Sequence, residues 1–301
     1  MSTHTPHTPP PHLLALPCWQ GQVTVEPLTG GLSNESWKVT DAAGVHVARF
    51  GKDFPVHHVA RAREAMLARA AHAAGFAPAV EYAAPGVMVS AFIAARTWQA
   101  EDVRANPQRV AELLSRFHHE LPAHIAGTAV IFWPFHVIRD YARTLRDGNS
   151  SFLPELPRLL RLSASFEAAQ MPLPIIVGHH DLLPANFLDD GSRLWLIDFE
   201  YTGFGTAMFD LAGAAANAGM ADAEAELLLS AYFGHAPSET LWRSFDAMQG
   251  AALVREAMWA MVSDIHLAAP GADYAAYARE NITKLESFLH RYQEKYGKIA
   301  S

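Results

Sequence analysis

The chain of 301 residues contains a single cysteine, Cys18. An intrachain disulfide and a cysteine-built zinc centre are therefore excluded. Charge is also scarce. Only 18% of residues are charged, and 23 basic side chains face 31 acidic ones, for a net charge of −8. Without a basic stripe to neutralise phosphates, nucleic acid is not expected as a partner. No run approaches the roughly 18 consecutive apolar residues of a membrane span, so no membrane insertion is expected. The opening MSTHTPHTPPPH has no Lys, no Arg and no apolar run. It does not resemble a secretory leader, and a cytoplasmic location is the default expectation. Residues 1–12 are expected to be a mobile tail. His4, His7 and His12 have no carboxylate or thiolate close by to complete a metal site.

What is present is apolar: half of the residues are hydrophobic, enough for one large domain or two packed lobes. Strands are predicted at Val23–Leu28, Ser36–Thr40 and Val45–Phe50, the last two joined at Ala43-Gly44. A helix is predicted over 57–74, stopped by Gly75, followed by strands at Ala79–Tyr82 and Val87–Phe92. Asn106-Pro107 has the residue types of a helix N-cap and first position. Val110, Leu113, Leu114 and Phe117 then mark one buried helical face. Short strands at Pro174–Val177 and Leu194–Ile197, the second after an Asp190-Gly191 turn, interrupt an otherwise helical remainder. Further helices are predicted over 222–232, 238–266 and 275–292.

The segment VGHHDLLPANFLDDGSRLWLIDFE carries the chemistry. His179, Asp181 and Asn186 stand in H-x-D-x-x-x-x-N spacing, and Asp198 follows at a strand end. That is the spacing of a kinase catalytic loop and metal site. Phosphoryl transfer gives each residue type a task. Asp181 would orient an acceptor hydroxyl and take its proton. Asn186 and Asp198 would hold Mg²⁺, a hard cation that takes oxygen ligands, against the phosphates of ATP. His179 would brace the loop. A zinc site on His179, His180 and Asp181 lacks further ligands at usual spacing.

With these residues in view, most of the chain from about Leu28 resembles the choline kinase and aminoglycoside phosphotransferase group of protein-kinase-like small-molecule kinases. IDFEY, Ile197–Tyr201, looks like the choline/ethanolamine kinase form of the metal-binding strand end. The resemblance implies an α+β, bilobal protein-kinase-like fold. Its N-lobe, a small antiparallel sheet with a helix, would span 13–92, and its mainly helical C-lobe 93–301. ATP and Mg²⁺ would bind between them. It makes Arg49 in VARFG the residue that holds nucleotide phosphates, with Glu64 as its ion-pair partner. LTGGLSNESW would be the phosphate loop, contributing Gly31, Ser33 and Asn34. Met88–Ile93, with Val89 and Ala91, would be the adenine hinge, and Asp210 in MFDLA would brace the catalytic loop. Glu200 has three readings: a partner of the metal-holding residues, a group that positions the acceptor, or a solvent-exposed side chain.

Val254–Asn281 is similar to the part of choline kinases where aromatic rings box a quaternary ammonium. Trp259, Tyr274 and Tyr277 occupy matching places, and each serves equally well as core packing on a helix face. The family often has a second Trp three residues before the first. Here that position is Glu256, which could pair with a cationic acceptor or accept from a primary amine. The resemblance thus implies a choline/ethanolamine-type kinase acting on a small cationic alcohol. Thiamine kinase and aminoglycoside-type transfer are the alternatives. A pseudokinase module is the alternative of another class, although such modules usually lose one of the three residues corresponding to Asp181, Asn186 and Asp198. No sequence feature fixes an oligomeric state.

Overall fold

The computed structural model describes residues 10–28, 35–267 and 272–299. A four-residue helix, α1 (Pro11–Leu14), opens the described chain and buries Leu13 completely. Five strands follow: β1 (Thr24–Leu28), β2 (Glu35–Thr40), β3 (Val45–Phe50), β4 (Val80–Ala84) and β5 (Val87–Ala91). They form one antiparallel sheet in the order β1-β2-β3-β5-β4. Alternation dictates the layering, because side chains two apart share a face. Trp37, Val39, Ala48, Val87 and Val89 meet Leu13 in a small separate core. Of the expected tail, residues 1–9 lie outside the described residues. Pro11 and His12 belong to α1, and the His12 ring stands edge-on to Phe50 at 4.6 Å.

Helix α2 (Arg61–Ala73) starts four residues later than the sequence pattern predicts. The preceding residues fold into a tight turn instead. Phe54 and Val59 form an isolated bridge, and His58 takes a φ of 63°. The Asp53 carboxylate accepts from Arg61 N–H at 2.7 Å, which marks where the helix begins.

The remainder is helical around one large core. A two-residue strand, β6 (Arg96–Thr97), precedes α3 (Ala100–Ala105), α4 (Pro107–Glu120), α5 (Pro134–Asp147) and α6 (Leu156–Ala168). The β insert comprises β7 (Ile175–Gly178), β8 (Phe187–Asp189), β9 (Leu194–Leu196) and β10 (Gly203–Thr206). β7 pairs with β10, while β6, β8 and β9 form a three-stranded sheet. Then come α7 (Ala207–Ala218), α8 (Asp222–Phe233), α9 (Glu239–His266) and α10 (Tyr274–Tyr296). Asn106 stands at the N-cap position of α4 with Pro107 at the first, as predicted, but its side chain makes no capping bond. Its amide donates to the Asp102 carbonyl at 2.8 Å and closes α3. Helix α9, 28 residues long, is the spine on which α5, α6, α7 and α10 pack. Gly250 permits the α6 approach: a Cβ there would lie 2.5 Å from the Phe166 ring. Among the described residues no helix is long and apolar enough to cross a membrane.

Candidate active site

The loop between β7 and β8 carries His179, Asp181 and Asn186, and it is tied down through its backbone. The buried Asp210 carboxylate, in the first turn of α7, accepts from His179 N–H and His180 N–H, each at 2.7 Å. His118 of α4 reaches the same carboxylate with Nε2 at 2.9 Å. Burial works against the Asp210 charge, but the hydrogen bond from His118 opposes it, and the carboxyl is held below its usual range.

His179 bridges two strands of the chain. Its Nε2 donates to the Ile197 carbonyl at 2.9 Å, and its Nδ1 accepts from Asp181 N–H at 3.3 Å. Those partners fix one neutral tautomer, and burial lowers the ring's pKa. His180 takes a φ of 63°. Its ring stacks on Phe132 at 4.5 Å and fits only because Gly178 and Gly205 lack side chains. A Cβ at Gly205 would come within 2.6 Å of His180 Nε2, and one at Gly178 would come closer still. Burial lowers the His180 pKa to about 4, so this ring is neutral as well.

Asn186 Nδ2 donates to the Asp181 carbonyl at 2.7 Å, and Ile197 N–H donates to the Asn186 carbonyl at 3.1 Å. The strand end at Asp198 is thereby stitched to the loop. Asp198 itself has a φ of 69°, a strained conformation of the kind that clusters at functional sites. Burial pushes the Asp181 carboxyl well above its usual range, and the Asp198 charge adds to this while Arg255 opposes it.

A chain of alternating charges joins this centre to the five-stranded sheet. Arg49 pairs with Glu64 of α2 and donates to Asp198 Oδ1 at 2.7 Å. Arg61 reaches Glu64 Oε2 at 2.6 Å and Glu200 Oε2 at 2.8 Å. Burial would raise Asp198, but the Arg49 charge and hydrogen bond hold it below the usual range. Glu200 is raised, by burial first and then by Asp198. Glu200 is only 8% exposed, which sets aside a solvent-facing side chain.

Of the nucleotide residues expected from the sequence, Gly31, Ser33 and Asn34 lie outside the described residues. Val89 turns its side chain into the small core, 1% exposed. Ala91 N–H donates to Ala79 and Phe92 N–H to Val45. These two backbone donors of the expected Met88–Ile93 hinge are therefore already paired within the sheet and its edge.

The residues expected to receive an acceptor meet along the groove that Asp181 also lines. Glu256 Oε1 accepts from the Tyr277 hydroxyl at 2.9 Å, and Oε2 accepts from Arg255 Nη1 at 3.1 Å. Trp259 Nε1 donates to the Tyr201 hydroxyl at 3.2 Å. The Trp259 ring stands edge-on to Tyr274 and Tyr277, at 6.1 and 6.5 Å between centroids. Asp181, Glu200, Arg255, Glu256, Trp259 and Tyr277 all line one groove of about 730 Å³. Four contributors escaped the sequence reading. Arg61 stands three residues before Glu64, a spacing that signals a helix-face ion pair. Tyr201 lies within IDFEY and was quoted only as part of that motif. His57 stacks within 5.1 Å of Trp259, and Arg255 lies 4.6 Å over the Tyr201 ring. Neither has a local signal, because each partner is remote in sequence.

Comparison with known proteins agrees with this fold. The model of the phosphotransferase enzyme family matches residues 24–248, about three quarters of the chain. A choline/ethanolamine kinase family protein from Mesorhizobium loti is 26% identical, with a TM-score of 0.76 over 95% of this chain and 96% of that one. The choline kinase LicA of Streptococcus pneumoniae shares the fold, with a TM-score of 0.74 at 20% identity over 89% of this chain and 94% of that one. Among curated proteins, a probable ethanolamine kinase of Arabidopsis thaliana is 27% identical over 213 residues, 62% of this chain and 54% of that protein. Protein LicA of Haemophilus influenzae is 32% identical over 105 residues, 34% of this chain and 31% of that protein. The chain thus spans a third to a half of these curated relatives.

Proposed function

This chain belongs to the phosphotransferase enzyme family, and on that premise we propose that it transfers the γ-phosphoryl group of ATP to the hydroxyl of a small amino alcohol, of ethanolamine or choline type. The observation that carries the reading is the placement of Asp181. It stands at the groove wall, next to Asn186 and close enough to Asp198 for their charges to couple. With its pKa raised, the Asp181 carboxylate is a better proton acceptor than a solvated one. Its task is to orient the hydroxyl and take the proton as the oxygen attacks. The rest of catalysis is positioning and charge neutralisation.

The residues fit a divalent cation that also binds phosphate oxygens. Among the described residues no cluster of three or more His, Cys, Asp or Glu side chains forms a metal cage. A Mg²⁺ site shared with a nucleotide needs only one or two protein oxygens. Asn186, whose Nδ2 is already committed, offers Oδ1, and Asp198 offers its carboxylate. Bound there, the cation would neutralise phosphate charge. Arg49 would hold phosphate oxygens and would have to release Asp198 to do so.

On the acceptor side, each Glu256 oxygen already carries one hydrogen bond, and a carboxylate has about four acceptor sites. The remainder suits the N–H groups of a primary ammonium, which favours ethanolamine over a quaternary amine. Arg61 and Arg255 offset much of the local acidic charge, which argues against a polycationic aminoglycoside. The reading includes no nucleic-acid partner. The test is acceptor-dependent ADP release with Mg-ATP. Asp181→Asn should lower turnover by about 10²–10⁴-fold while leaving ATP binding intact. Equal turnover in that variant would remove Asp181 from the mechanism.

A further inference from the structure

Behind the groove wall stands a histidine that the proposed reaction does not use. His57 lies in the turn before α2, is 2% exposed and does not line the groove. A buried imidazole needs partners for both ring nitrogens. Nδ1 stands 3.3 Å from the Tyr141 hydroxyl of α5, and Nε2 stands 3.0 Å from the Ser263 hydroxyl of α9. Tyr141 and Ser263 are themselves fully buried. Two helices therefore fix the plane of the ring.

Trp259 rests on that plane. The ring centroids are 5.1 Å apart and the planes are tilted by 31°. Tyr274 and Tyr277 meet the same indole at 72° and 88°, so of these three rings only His57 lies near-parallel to it. Ser263 follows Trp259 by four residues on α9, and side chains at that spacing share a helix face. The serine thus pins the ring on which the tryptophan lies. Trp259 is half-buried and lines the groove. Burial, with the Arg255 charge adding to it, lowers the His57 pKa to about 3. The ring is neutral and places no positive charge behind an indole that would attract a cation. Filling this space requires no polar atoms, and apolar side chains are easier to bury. What the imidazole and its two hydroxyls supply is a single orientation.

We propose that His57 is a positioning residue for the acceptor. Pinned by Tyr141 and Ser263, it sets the plane of Trp259, so that the indole meets the amine of the alcohol at a constant angle beside Glu256. His57 itself touches no substrate. This deepens the phosphotransfer reading above and rests on it.

The experiment measures kcat and both KM values with Mg-ATP and the better acceptor of 2-aminoethanol and choline. In His57→Leu the acceptor KM should rise about 5- to 10-fold, the size of a contact between a cation and a ring. The KM of Mg-ATP and kcat should change by less than about twofold. A merely structural role would lower the active fraction and leave both KM values alone. The thermal midpoint verifies the fold. Ser263→Ala carries the same test if His57→Leu does not fold, with an expected rise of about threefold. The second arm repeats the substitution in Trp259→Leu, where it should add less than about twofold to an acceptor KM that is already raised. Independent rises that multiply would overturn the proposal, and so would an unchanged acceptor KM in the folded single variants. Either result, with transfer still dependent on Asp181, leaves the phosphotransfer reading standing. Absence of Asp181-dependent transfer to both alcohols overturns that reading and this inference with it.

Discussion

The loop from Gly178 to Asn186 and the wall built by α9 and α10 face the same groove but are fixed by different means. In the loop the backbone is held. Asp210 takes two consecutive N–H groups, His179 clasps the Ile197 carbonyl, and Asn186 clasps that of Asp181. In the wall only side chains meet. Glu256 and Tyr277 join across two helices, and Trp259 leans on Tyr201 from a third element. A site held by its backbone needs particular residues at fixed short intervals. One held by side chains can exchange partners while the helices stay in place. On the function proposed above, the reacting groups are therefore rigidly held, and acceptor choice is left to a few exchangeable contacts.

The largest effect expected from breaking this contrast is at Asp210. Alanine there leaves two backbone donors and a histidine without their acceptor in a fully buried place. Removing one partner from such a cluster costs about 3–5 kcal/mol, a large part of a typical 5–15 kcal/mol of stability. Turnover in the folded fraction should drop by about 10²-fold, because a loop displaced by an ångström misplaces Asp181. Denaturant unfolding read beside kcat measures both. Asp210→Asn keeps one oxygen and should fall between. If Asp210→Ala lowered stability without touching kcat, the loop would be held by something other than these bonds.

A smaller and differently shaped effect is expected in the wall. Glu256→Gln keeps the shape and the Tyr277 contact but loses the charge. KM for a primary amine should rise by about 10-fold or more while kcat changes little, the pattern of a group that binds ground and transition states alike. An equal loss in kcat would mean that the wall, like the loop, positions the reacting atoms.

The same contrast explains what could be read from the sequence. The clustering of His179, Asp181, Asn186 and Asp198 was legible because backbone geometry compresses the first three into one loop, with Asp198 one hairpin away. Arg49 and Glu64 were legible as a pair only through the family resemblance, and the structure joins them. The sheet was legible from its alternation. The start of α2 was not: the bridge between Phe54 and Val59 and the left-handed turn at His58 override the helical composition of residues 57–60. Asn106-Pro107 marked the start of α4 correctly, but the sequence did not show that the Asn106 amide donates back to Asp102 and closes α3 as well. Arg255 carries no signal in the sequence beyond its place next to Glu256. Its burial over Tyr201 depends on where α9 crosses the end of the β insert, and no spacing records that.

Arg255 also offers the finest test, because it couples the wall to the loop through charge alone. Asp181 must be ionised to accept a proton, so rate is lost as pH falls through its pKa. Burial and Asp198 raise that pKa, and Arg255 lowers it. The acid limb of kcat/KM should therefore lie above the ordinary carboxylate range. Arg255→Met keeps the apolar stem and removes the charge. The Asp181 pKa then rises further, and the acid limb moves to higher pH. Arg255→Lys retains the charge and should leave the limb near its original place, although the stacking on Tyr201 is weakened. Profiles at constant ionic strength separate the two variants. A limb that shifts equally in both would show that stacking, rather than charge, links Arg255 to the catalytic carboxylate. The side-chain wall would then act on the backbone-held loop by contact through Tyr201, and the two regions would be less independent than their hydrogen bonds indicate.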